Sequence, residues 1–128
     1  MKKKYITTPI YYVNDKLHIG HAYTTILADV LNRFNNLVGH ESFMLTGSDE
    51  HGQKVQEAAI NQQIEPQDHC DEMAPRFIDL WDKLHISNDD FIRTTEQRHK
   101  KVVQDFFLFV IGELDFIHGT FADPFLPA

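Results

Sequence analysis

The chain has 128 residues, enough for one modest domain, with 42% hydrophobic residues and a formal net charge of −7. That charge argues against nucleic-acid binding through a general basic surface, although a small phosphate ligand needs only a local positive site. The single cysteine, Cys70, excludes an internal disulfide and a cysteine-only metal site, and no run is apolar enough to cross a membrane. Nothing after the basic Met1–Lys4 has the long apolar core of a signal peptide, so a cytoplasmic place is expected.

In chain order, Tyr5–Pro9 reads as a buried strand, followed by a turn at Asn14 and Asp15. From Gly20 to Leu37 the pattern is helical, with Tyr23, Leu27, Val30 or Leu31, Phe34 and Leu37 or Val38 recurring every three or four residues. Gly39 stands where a helix stops. Glu41–Thr46 reads as an apolar strand, Gly47–Gly52 as a polar loop and Lys54–Ile64 as a second helix. Pro66-Gln67-Asp68 opens another helix, which Pro75 is expected to kink or break before Leu84. Asp89–Arg93 is a third extended segment, and Thr94 to Gln97 fits a capping box ahead of a helix to about Ile111. Trp81, Phe106, Phe107 and Phe109 lie at helical spacing and read as core. Strand–loop–helix repeated in this way predicts an α/β fold with a parallel sheet and crossover helices. Its ligands belong on the loops that leave the strand ends.

Two polar clusters sit on such loops. In "TPIYYVNDKLHIGHAYT", His18 and His21 flank the turn into a helix. The first N–H groups of a helix are unpaired and its dipole favours an anion, so two imidazoles there suit phosphate oxygens. Gly20 lets a ligand approach the backbone. The plainer alternative is a loop histidine and a first-turn histidine with no ligand. In the second cluster, Ser48-Asp49-Glu50-His51-Gly52, Asp49 is either a helix cap or the partner of a ligand ammonium group. Tyr11 and Tyr12 are adjacent in an extended segment, so one can pack inward while the other overhangs the site. As bare aromatics both can equally be core. A metal site lacks a third ligand near the histidines at a familiar spacing.

The "HIGH" run, His18 to His21, resembles the signature of class I aminoacyl-tRNA synthetases. The segments "YITTPIYYVNDKLHIGHAYTTILADVLNRF", "GSDEHGQK" and "FIRTTEQRHKKVV", in that order, resemble the methionyl-tRNA synthetases of bacteria. The likeness runs from Lys4 to Phe107. It implies the first half of a Rossmann-like nucleotide-binding domain over residues 1–108, with a divergent tail at 109–128. It also implies activation of methionine by ATP to methionyl-adenylate and transfer to tRNA(Met). His18 and His21 would then be catalytic, and with Gly20 would bind ATP, accompanied by magnesium. Ile10, Tyr12 and Asp49 would bind methionine.

The family's lysine-rich KMSKS signature and its cysteine-bearing, zinc-carrying insertion are absent from the sequence. The chain is therefore expected to hold no zinc site. It is expected to be a truncated, split or frameshifted part of the ligase, inactive alone, and completed by a complementary C-terminal half. A non-catalytic remnant and another class I synthetase are the alternatives.

Overall fold

A computed structural model describes residues 1–14 and 17–113. The expected turn residue Asp15 and most of the 109–128 tail lie outside these. Strands are β1 (Lys3–Thr7), β2 (Tyr11–Tyr12), β3 (Glu41–Asp49) and β4 (Asp90–Arg93). Helices are α1 (Ile19–Leu37), α2 (Gln53–Gln62), α3 (Pro66–Lys83) and α4 (Gln97–Glu113). Every described pairing is parallel, and β3 is the strand that all the others join.

Leu45 pairs with Thr7 and also with Asp90, while Ser48 pairs with Tyr11 and also with Arg93. Thus β1 and β2 lie in line along one edge of β3, and β4 lies along the other. The break between β1 and β2 falls at Pro9, which has no N–H for the ladder. Thr8 keeps the line, its N–H donating to the Leu45 carbonyl at 3.2 Å. As an edge strand β1 is largely exposed, which corrects the expectation of burial.

The second strand runs three residues further than its sequence suggested, through Gly47, Ser48 and Asp49. Pairing on both edges carries the strand on. Gly47 is required there, because a Cβ would stand 2.1 Å from the Ile92 carbonyl oxygen. The helix begun at Pro66 is not broken at Pro75 and continues to Lys83. Its inward face buries Cys70, Met73, Phe77 and Trp81 against Tyr11, Val13 and Val55. Burying side chains of this size yields about 1.5–3 kcal/mol each, against about 3 kcal/mol for an interior proline.

Helix α1 forms where expected and ends at Val38, with Gly39 at φ +81°. Its apolar stripe is not the face that packs on the sheet. Thr25, Ala28, Asp29 and Asn32 face inward, and Tyr23, Leu27, Val30, Phe34 and Leu37 are exposed. Directional bonds hold this polar face: Tyr11 Oη lies 2.8 Å from Thr25 Oγ1, and Asn32 Nδ2 donates to the Ser87 carbonyl at 3.1 Å. Phe106, Phe107 and Phe109 on α4 are also exposed, against the expectation of core, whereas Trp81 is buried. No layer of described residues covers that side of α4.

Candidate active site

The two histidines make a reciprocal cap. His18 is the N-cap of α1, and its Nδ1 accepts from the Gly20 N–H at 3.1 Å. His21 Nδ1 accepts from the His18 N–H at 3.1 Å. The rings lie 3.8 Å apart, centroid to centroid. An imidazole whose Nδ1 accepts is neutral and carries its proton on Nε2. Each ring is therefore fixed as a donor, and neither Nε2 has a hydrogen-bond partner among the described residues.

Burial, then the nearby His18 ring, hold the His21 pKa below its usual 6.5, which favours this neutral form. Gly20 is needed by the motif itself. A Cβ there would meet the His18 ring at 2.9 Å, so a larger residue would push the cap open. His21 also stands edge-on to Tyr11, centroids 5.0 Å apart, and to Phe77 at 5.7 Å.

The adjacent tyrosines divide as expected from strand alternation. Tyr11 is 6% exposed in the core and Tyr12 53% exposed. Ile10 is exposed two residues before Tyr12. Tyr12 and Asp49 are register partners across β2 and β3, so strand pairing alone sets them side by side. The His18–His21 turn follows β2 at this same carboxyl end of the sheet.

Asp49 is not a helix cap. The N-cap of α2 is Gly52, which makes no side-chain cap bond. Asp49 Oδ1 instead receives a long bond from the His51 N–H at 3.4 Å, leaving carboxylate lone pairs for a ligand. The open cavity beside this loop is about 760 Å³ and is lined by Glu50, His51, Gly52, Gln53, Val55, Gln56 and Pro66.

Two residues, Glu50 and His69, were not singled out from the sequence. Glu50, next to Asp49, is buried and bonded to Ser48, Arg93 and Thr95. Thr94 Oγ1 accepts from the Glu50 N–H at 2.9 Å, so its hydroxyl is turned to that network and not to the helix it was expected to cap. His69, buried on α3, donates from Nε2 to the Val13 carbonyl at 2.7 Å and anchors the chain just before the histidine turn. Cys70 is buried, and burial pushes its thiol up to about 11, so it stays an unreactive core group.

A family model described as "tRNA synthetases class I (M)" matches residues 4–124. The chain belongs to this family. Among curated members, it is 62% identical over 102 residues to the methionine–tRNA ligase of Rickettsia bellii, covering 80% of this chain and 20% of that protein. It is 57% identical over 104 residues to that of Thermotoga maritima (81% and 16%). With the ligase of Halalkalibacterium halodurans it shares 50% identity over 120 residues (94% and 18%). The fold matches the Mycobacterium tuberculosis methionyl-tRNA synthetase in complex with methionyl-adenylate, with a TM-score of 0.85 and 36% identity. That match covers 88% of this chain and 22% of the other. The Rossmann-like fold of the class I family is thus present, and the chain spans about a fifth of the length of the curated relatives it matches.

Proposed function

We propose that this chain supplies half of the ATP and methionine sites of a methionine–tRNA ligase, from residues 1–108 of its catalytic domain. One observation carries the reading: the His18–His21 cap fixes two neutral Nε2–H donors at the sheet end where Tyr12 and Asp49 are strand partners. The named activity of the relatives and the methionyl-adenylate in the tuberculosis enzyme support it.

In the reaction, the methionine carboxylate attacks the α-phosphorus of ATP and pyrophosphate leaves. The carboxylate is already ionised, so no general base is needed, and positioning with charge stabilisation does the work. His18 and His21 donate to phosphate oxygens as charge grows there, helped by the unpaired N–H groups of the first turn of α1. Gly20 keeps that turn open to the nucleotide. Asp49 binds the α-ammonium group, while Tyr12 and Ile10 wall the thioether, a soft apolar group suited to such a wall. Magnesium would arrive on the ATP phosphates. The aminoacyl group then passes to tRNA(Met) on the complete enzyme, which we place in the cytoplasm.

Methionine-dependent ATP–pyrophosphate exchange tests this. The expected result is little or no exchange by the chain alone, and exchange when the remainder of a relative's catalytic domain is supplied in trans, lost again with His18→Ala. Failure of methionine and ATP to bind the complemented protein would overturn the reading. Exchange driven by a different amino acid would assign the chain to another synthetase. The exposed apolar faces of α1 and α4 favour a second reading, in which the chain alone is a non-catalytic binding fragment. Robust exchange by the isolated chain would exclude that one.

A further inference from the structure

The segments "GSDEHG" and "FIRTT" are far apart in the sequence, and the proposed reaction uses only Asp49 from either. The structure joins them through Glu50. This residue is 4% exposed, yet it carries a carboxylate. Oε1 accepts from Ser48 Oγ and from Arg93 Nε, both at 2.7 Å, and Oε2 accepts from the Thr95 hydroxyl. The Glu50 N–H donates to Thr94 Oγ1, and the Thr94 N–H donates to the Ser48 carbonyl at 3.2 Å. The second nitrogen of Arg93 reaches Asp71 on α3 at 2.5 Å. His51, on the other side of Glu50, donates from Nε2 to the Thr94 carbonyl at 3.3 Å.

A buried ion pair is often no more stable than an apolar pair of the same volume, so stability alone does not explain this one. Its directional bonds do something an apolar pair cannot. Successive residues at the end of an extended strand point to opposite faces. With Glu50 held inward by three side chains, Asp49 is held outward, toward its register partner Tyr12.

We propose that Glu50, through Arg93 and Thr95, is a positioning residue that aims the Asp49 carboxylate at the ammonium group of methionine. This rests on the ligase reading of Asp49. The "FIRTT" segment is then a brace for the methionine site and touches no substrate.

The test uses the full chain and two readouts. Amide hydrogen exchange needs no ligand. Glu50→Gln, which keeps the volume, should speed exchange at Glu50–Gly52 and Thr94–Glu96 while Met44 and Leu45 stay protected. Unchanged protection at those sites would overturn the inference. Titration of the chain, complemented in trans by the remainder of a relative's catalytic domain, with L-methionine and, separately, ATP is the second readout. Glu50→Gln should weaken methionine by about tenfold or more, the order that a misplaced group costs, and leave ATP within about twofold. Equal methionine affinity in wild type and variant would also overturn it.

Pairing Glu50→Gln with Arg93→Met removes the guanidinium that Glu50 no longer neutralises. It should recover the thermal midpoint without recovering methionine affinity. Recovery of both would show a merely structural role. If Glu50→Gln does not fold, Arg93→Lys carries the same measurements. A complemented wild-type protein that binds no methionine would count against the ligase reading itself, and the exchange pattern would still decide whether Glu50 sets the Asp49 loop.

Discussion

His18 does two jobs with two nitrogens, and a pair of substitutions separates them. Nδ1 caps α1 through the Gly20 N–H, while Nε2–H is the proposed donor to ATP. His18→Ala loses both. His18→Asn keeps a cap, since asparagine is among the preferred N-cap residues, but loses the distant donor. The bond from the His18 N–H to His21 Nδ1 uses only the backbone of residue 18 and survives in both variants. Only half of the cap is therefore at stake, worth about 1 kcal/mol. In a chain of this size that is a shift in thermal midpoint of about 4 °C for His18→Ala, and close to none for His18→Asn. Exchange by the complemented protein should fall by about 10²–10³-fold in both, the usual loss for one preorganised donor. Differential scanning calorimetry of the chain and pyrophosphate exchange measure the two effects. If His18→Asn were as unstable as His18→Ala, the cap would be misassigned. If it kept near wild-type exchange, the donor role would be refuted.

Acid should weaken the site through His21. Its folded pKa is lowered, so the unfolded chain takes up that proton first, and the stabilisation is complete above 6.5 and lost as pH falls through the folded value. Protonation of Nδ1 also breaks the bond from the His18 N–H, so exchange should decline over the same window; an NMR titration placing His21 above 6.5 would contradict this. Gly47→Ala should destabilise by about 3 kcal/mol or more in urea unfolding, because its Cβ would meet the Ile92 backbone and not a side chain that can move. An unchanged midpoint would mean that β3 and β4 are not packed as described. His69→Ala strands the buried Val13 carbonyl and should cost about 1–3 kcal/mol, with faster amide exchange confined to the turn before α1; loss spread evenly over the chain would argue against an anchor.

What the sequence made legible was whatever follows from local pattern. The parallel α/β order, the extents of α1 and α4 to within a few residues, the stop at Gly39 and the inward–outward split of Tyr11 and Tyr12 all follow from period, turn chemistry and strand alternation. Long-range pairing was not legible. Gly47 and Ser48 look like a loop by composition, and only pairing with Tyr11 and Arg93 makes them strand. Pro75 looks like a break, and only burial of Phe77 and Trp81 carries the helix past it. Thr94 looks like a cap, and only the arrival of the Glu50 N–H redirects its hydroxyl. Glu50 itself gave no signal, because a glutamate beside an aspartate reads as solvated until its partner, 43 residues away, is known.

The polar inward face of α1 follows from the same need that shapes the site. A helix that presents His18 and His21 must be fixed in rotation and along its axis, and apolar contacts resist neither well because they are non-directional. Thr25 bonded to Tyr11, Asp29 bonded to the Ser87 N–H at 2.7 Å, and Asn32 bonded to the Ser87 carbonyl fix both. The apolar stripe through Leu27 and Phe34 is left facing outward, where it adds nothing to the described packing. Replacing Leu27 and Phe34 with serine should therefore change the stability of this chain by only about 0.5 kcal/mol each, the usual range for surface positions, and should raise its solubility. Thr25→Val, conservative in volume, should cost about 1–2 kcal/mol, because it leaves the buried Tyr11 hydroxyl with one partner fewer. Chemical unfolding of the three variants ranks them. If the serine variants proved the costlier, the helix would sit on its apolar face, and the placement of both histidines built on the polar one would fall with it.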